Sequence, residues 1–175
     1  MYSKQYLEEL KGLHYDPKRP NGFGGKVKDL GHAYNYINYW MPSTCLDYGC
    51  GKGVILSHLN EKFPDTEFIG YDPALPMWDN KPTNKFDMVF SNDVLEHIET
   101  DQLEGVLNNL YSIADKYQYH LIACHPAKKK LSDGRNAHLI IEKPEWWKAI
   151  LERKNTELGW RIISEDITER WVQIK

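Results

Sequence analysis

The sequence predicts an α/β domain: a mostly parallel sheet with helices on both faces, finished by an antiparallel strand pair. Three observations predict it. From Thr44 onward, strand-length apolar runs alternate with stretches whose apolar residues recur at helical spacing, the pattern of parallel strands joined by helical crossovers. The last two runs, around Trp160 and Trp171, are joined too tightly for a crossover and pair most simply antiparallel. The 175 residues, 41% of them hydrophobic, suit one domain with one core.

In order, Tyr2 to Lys11 reads as a short amphipathic helix. Pro17, Pro20, Gly22, Gly24 and Gly25 then break regular structure. A second helix runs from about Lys28 to Trp40, with Leu30, Ala33, Tyr34, Ile37 and Trp40 in register, and stops before Pro42. Residues 1–43 are thus expected to form a helical cap or lid and 44–175 the core. Within the core, Cys45 to Tyr48 is a strand and Val54 to Phe63 a helix. Glu67 to Tyr71 and Phe86 to Phe90 are strands, and Asp101 to Lys116 is a long helix. Tyr119 to Cys124 is a strand, Glu145 to Leu158 a helix, and Trp160–Ile163 with Arg170–Ile174 the closing pair.

Composition narrows the function. Twenty-two Lys and Arg against 25 Asp and Glu give a net charge of -3, which disfavours a nucleic-acid partner held by bulk electrostatics. No apolar run reaches the roughly 18 residues of a membrane span, and the charged first turns do not read as a signal peptide. Cys45, Cys50 and Cys124 form no CxxC pair, which fits a soluble, cytoplasmic protein in a reducing compartment. Six Trp and 11 Tyr point to an aromatic-lined cleft or a flat ligand.

The most informative stretch is Leu46-Asp47-Tyr48-Gly49-Cys50-Gly51-Lys52-Gly53, between the first core strand and its helix. Glycines there let the chain turn sharply and let a ligand reach the main chain. The helix that follows offers unpaired N–H groups and a positive dipole end to an anion. A GxGxxG dinucleotide loop fails, because Val54 takes the third glycine's place, and a P-loop fails because Lys52 lies between glycines. Asp72 ends the second strand, nineteen positions past Gly53, where a carboxylate can take both hydroxyls of a ribose. A third segment, Phe86 to Ile98, runs Phe-Asp-Met-Val-Phe-Ser-Asn-Asp-Val-Leu-Glu-His-Ile.

Taken in order over about Leu46 to Ile98, these motifs resemble those of the class I S-adenosylmethionine-dependent methyltransferases, with their Rossmann-like fold. The resemblance implies S-adenosylmethionine as cofactor and S-adenosylhomocysteine as product. It places Asp47, Gly49, Cys50 and Gly51 at the methionine half, Asp72 and Pro73 at the ribose, and Ser91, Asn92 and Asp93 beside the sulfonium and its acceptor. The common family layout puts a further strand and helix between the second and third motifs. Here only the thirteen residues Pro73 to Lys85 intervene, with prolines at 73, 76 and 82, so that unit is expected to be missing or reduced to a loop. Such a segment spans up to roughly 43 Å, ample to pass over two strands. Trp78 could then stack on adenine or seal the shortened sheet edge.

Methyl transfer mainly requires alignment, with a base only where the acceptor keeps its proton. His138 and His97 are the candidate bases, with His125 behind them. Asp93-x-x-Glu96-His97 also resembles the Glu-x-x-Glu-His metal set of ubiquinone-pathway and small-RNA methyltransferases, where a later histidine, here His138, completes the site. A divalent ion is therefore open as an addition. Tyr34, Tyr36, Tyr39 and Trp40 could close the cleft around a cation, or simply cover the sheet. A small or sugar-like acceptor is the expected partner, and a non-catalytic cofactor-binding module is the alternative.

Overall fold

The computed structural model describes residues 2–16, 30, 33–158, 165–167 and 171–174. Their elements are α1 (Lys4–His14), α2 (Ala33–Trp40), β1 (Thr44–Tyr48), α3 (Val54–Lys62), β2 (Glu67–Tyr71) and β3 (Phe86–Asn92). Then come a 3-10 turn (Leu95–His97), α4 (Leu103–Ile113), β4 (Ala114–Ala123), α5 (Pro144–Leu158), β5 (Glu165–Ile167) and β6 (Trp171–Ile174). One six-stranded sheet runs β2-β1-β3-β4-β6-β5. Its first four strands are parallel, and β6 is antiparallel to both β4 and β5. The α/β class, the mostly parallel sheet and the antiparallel finish are as the sequence predicts.

Adjacent strand residues point to opposite faces, and both faces are covered. Leu46, Tyr48, Phe86 and Val89 pack against Leu103, Val106, Leu107 and Leu110 of α4 and Trp147 and Leu151 of α5. Their neighbours Cys45, Met88 and Phe90, with Tyr119 and Leu121, meet Ile37 of α2 and Ile55 and Leu59 of α3. The aromatics of α2 belong to this second layer. Trp40 stacks on Tyr117 with ring centroids 4.1 Å apart, and Tyr36 leans on Tyr119. Tyr34 lies on Phe63. For Tyr34, Tyr36 and Trp40 the structure realises sheet cover, whereas Tyr39 is exposed.

The segment between β2 and β3 holds neither helix nor strand, so the expected unit is absent and β2 is the sheet's margin. Its start folds back as a turn: the Asp72 N–H donates to the Trp78 carbonyl at 3.0 Å and the Trp78 N–H to Leu75 at 2.8 Å. Trp78 thereby lies over Gly53 and Gly70, where an added Cβ would come within 2.9 and 3.1 Å of its indole. That sets the indole against both the glycine loop and β2.

One boundary is corrected. The long helix does not reach Lys116 but ends at Ile113, because Ala114 is extended at ψ 132° and opens β4. Two β3 steps, Phe86 to Met88, match three of β4, Ala114 to Tyr117, so Asp115 and Lys116 sit in a bulge. Lys116 Nζ is anchored there on Asp87 at 2.7 Å. The closing pair forms from β5 and β6, while the expected strand at 160–163, the start of the second helix and the glycine-rich 22–25 stretch lie outside the described residues.

Candidate functional site

The carboxyl ends of β1, β2 and β3 open on two neighbouring groups of side chains. The first is built on the glycine loop. Gly49, Gly51 and Gly53 have φ of 86°, 52° and 71°, left-handed values that favour glycine. Gly49 has a second reason: a Cβ there would lie 2.4 Å from Val94. Gly49 and Cys50 both donate their N–H to the Tyr71 carbonyl, at 2.7 and 3.1 Å, which ties the loop to the tip of β2. Asp72 completes the tie. Its Oδ2 accepts the Gly51 N–H at 3.0 Å and its Oδ1 the Ala74 N–H at 2.9 Å.

Asp47, at the end of β1, is fully enclosed, and its Oδ2 has no hydrogen-bond donor among the described residues. Burial, and then the charge of Asp72, push its carboxyl up to about 8. A buried acid in this state lacks a cation. Beyond the loop, the first turn of α3 supplies main-chain N–H groups without intrahelical acceptors. Buried acid, glycine turn and helix start therefore fit an α-amino acid, with the ammonium on Asp47 and the carboxylate at α3. Cys50 contributes backbone rather than a reactive thiol: its side chain packs toward Gly70, and burial pushes the thiol up. Pro73 is half-buried behind Asp72.

The second group gathers histidines. Glu96 and His97 sit in the 3-10 turn after β3, and His138 arrives from the loop before α5. His97 Nδ1 lies 2.6 Å from the Ala137 carbonyl and His138 Nδ1 2.5 Å from the His125 carbonyl. A carbonyl only accepts, so each Nδ1 carries the proton and each Nε2 presents a lone pair. The two rings meet edge to face at 4.8 Å, and His138 Nε2 lies 4.0 Å from Glu96 Oε1. Glu96 is completely buried, and its Oε1 accepts the Ala123 N–H at 3.1 Å. Burial, then Asp93, raise its carboxyl well above the ordinary range. Burial, then His138, hold His97 down at about 3, so it is neutral near pH 7. Burial likewise lowers His138.

One oxygen or nitrogen from each of Glu96, His97 and His138 lies within 4.8 Å of the others, close enough to share a metal ion after small side-chain adjustments. The Nδ1–H bonds to carbonyls are the outer contacts that orient imidazole ligands.

Between the groups, the end of β3 divides its residues. Asn92 and Asp93 are half-buried, and Asp93 turns the chain with φ 57°. Ser91, by contrast, is wholly buried, its hydroxyl 2.9 Å from His120 Nδ1. Of the predicted positions, the structure brings Asp47, Gly49, Cys50, Gly51 and Asp72 together and unites His97 with His138. It turns Ser91 into the core. The sequence reading missed His14, whose imidazole reaches Asp72 from α1; its only signal was one histidine at the end of an otherwise polar helix.

The chain matches the family described as Methyltransferase domain over residues 20–169. No curated protein sequence matches it. Among solved structures, it is similar to the 1,6-didemethyltoxoflavin-N1-methyltransferase of Burkholderia thailandensis, solved with its acceptor and S-adenosylhomocysteine. The TM-score is 0.65 at 13% identity, covering 97% of this chain and 87% of that one. It is also similar to the magnesium protoporphyrin IX methyltransferase of Synechocystis PCC 6803, solved with S-adenosylmethionine, at TM-score 0.57 and 16% identity, with 98% and 97% covered. A third is the methyltransferase domain of bacterial CtHen1-CN, at TM-score 0.58 and 15% identity, with 85% and 98% covered.

Proposed function

The chain belongs to the methyltransferase-domain family, and on that premise we propose that it transfers a methyl group from S-adenosylmethionine to a small-molecule acceptor by in-line displacement. The observation that carries the reading is Asp47, a buried acid with a donorless oxygen beside a glycine turn and a helix start. Bound S-adenosylmethionine would supply a methyl group on a sulfonium, which departs to the acceptor and leaves S-adenosylhomocysteine.

The chain's own residues would do the rest. Asp47 takes the ammonium, main-chain N–H groups of the glycine turn and α3 take the carboxylate, and Asp72 takes the ribose hydroxyls. Asn92 and Asp93 border the place of transfer, and His97 and His138 stand on its acceptor side. With Nδ1 protonated, His138 Nε2 can accept the acceptor's proton as its lone pair attacks the methyl carbon. Solved relatives that act on small molecules, the didemethyltoxoflavin and protoporphyrin enzymes, support the acceptor class. Of the N-terminal segment, α1 serves as the cap of this site, and α2 covers the sheet.

A second reading of the histidine group is favoured by its convergence. Glu96, His97 and His138 would hold a divalent ion, and such an ion would lower the pKa of an acceptor hydroxyl in place of a base. Nitrogen and oxygen donors in this ratio suit Mn²⁺, Fe²⁺, Co²⁺ or Zn²⁺.

Titration calorimetry with S-adenosylhomocysteine tests the first reading. Binding is expected in the wild type and a loss of at least about tenfold in Asp47→Asn, where the charge that meets the ammonium is gone. Absence of binding to the wild type overturns it. Cobalt titration then separates base from metal: visible d–d bands that His138→Ala abolishes establish the ion, and a colourless protein leaves the base.

A further inference from the structure

α1 lies across the open ends of β1 and β2 and is fastened at four points. At its start, the Ser3 N–H and hydroxyl donate to the Glu99 carboxylate at 2.9 and 2.7 Å. The Tyr6 hydroxyl donates to the His97 carbonyl, and Tyr6 packs with Leu131 and Ala137. Midway, the Glu9 carboxylate accepts the Ser132 N–H and hydroxyl at 2.7 and 2.6 Å. At its end, His14 Nε2 stands 3.7 Å from Asp72 Oδ2. The helix thus bridges both halves of the site, from the histidine turn to the tip of β2.

The last contact bears on the cofactor. A carboxylate offers about four lone-pair directions. Two of those on Asp72 are held by the Gly51 and Ala74 N–H groups. His14, itself 4% exposed, lies beside Asp72, which is 6% exposed. A ribose diol needs the directions that remain, and the imidazole stands 3.7 Å from Oδ2, beside one of them.

We infer that α1 is an autoinhibitory latch: His14 occupies the sugar-binding side of Asp72, and the helix must swing or slide before the nucleoside half of the cofactor can seat. This rests on the reading of Asp72 as the ribose carboxylate. Two of the four fastenings suit a latch, and the buried Tyr6–His97 bond is the contact that opening has to break. The Ser3–Glu99 and Glu9–Ser132 bonds are solvent-exposed, so water replaces them at little cost when the helix moves.

The latch predicts the sign of two mutational effects. A protein whose binding-competent form is a minor population binds more weakly by that fraction, and loosening the closed form restores the affinity. His14→Ala should bind S-adenosylhomocysteine about threefold to tenfold tighter than the wild type, with faster association by stopped-flow fluorescence. Glu9→Ala, which unfastens the helix far from Asp72 and at the surface, should shift both quantities the same way, by about twofold to threefold. The second variant holds the test open if the first misfolds. Unchanged or weaker binding in a folded variant overturns the latch, because a helix that only roofs the bound cofactor loses affinity when loosened. Failure of the wild type itself to bind would instead strike the cofactor reading, a different result from a wrong sign.

Discussion

The two halves of the site are built by opposite strategies. The glycine half comes from one strand–turn–helix passage, Asp47 through Val54, with Asp72 added from the neighbouring strand, and it is fastened by main-chain bonds. The histidine half is assembled from residues 96, 97, 125 and 138, and its side chains are aimed by single carbonyls. On the proposed function, the first recognises through backbone shape together with the Asp47 and Asp72 carboxylates. In the second, side-chain chemistry is everything and the backbone only aims it. On the proposed function, a binding half that tolerates no change of shape would adjoin a reacting half in which one atom decides the outcome.

The largest effect expected from that contrast is at Gly49. Gly49→Ala meets Val94 and a left-handed φ at once, so it should cost about 2–4 kcal/mol of stability and abolish cofactor binding, read by thermal unfolding and titration. If the variant binds normally, backbone shape is not what the glycine half depends on. His138→Ala should lower the methyl-transfer rate about a hundredfold while S-adenosylhomocysteine affinity stays within twofold. A parallel fall in affinity would join the two halves into one unit.

A subtler difference is electrical. Asp47, pushed up to about 8, holds its proton at pH 7, and an arriving ammonium stabilises the carboxylate. Binding at pH 7 should release about one proton, seen as a dependence of calorimetric heat on buffer ionisation, and Asp47→Asn should erase it. The smallest effect lies beneath the histidine half. Buried His120 is lowered to about 4 from 6.5, so the unfolded chain takes up a proton that the fold refuses. Stability should fall as pH drops from about 6.5 to 4, and His120→Asn should flatten that slope in acid-unfolding curves.

The same contrast explains what the sequence made legible. Contiguous features were readable. The glycine turn declares its geometry by residue type, and the prolines at 73, 76 and 82 declare the absent helix. Phe86–Phe90 was readable as a strand because four of its five residues are apolar, but its extension through Ser91 and Asn92 was not. Those polar residues are paired across the sheet with His120 and Leu121, a partnership no local pattern reports. Ser91 matched its motif position, yet its direction is set by a histidine 29 residues away. The helix at 101–116 was overrun because Ala114, Asp115 and Lys116 are acceptable helix residues. A bulge and an ion pair to Asp87 decide otherwise. The meeting of α1 with Asp72 depends on how a separate helix docks, and nothing in its eleven residues names the partner.

Dispensing with a strand and its helix leaves β2 as a five-residue rim whose outer main-chain groups face no neighbouring strand among the described residues. Such a rim invites another chain to zip onto it. Here it is guarded by brevity and by the exposed charge of Glu67 beside the partly bare Ile69. On so short a sheet, one exposed glutamate stands at the margin where a longer sheet would carry an entire extra strand.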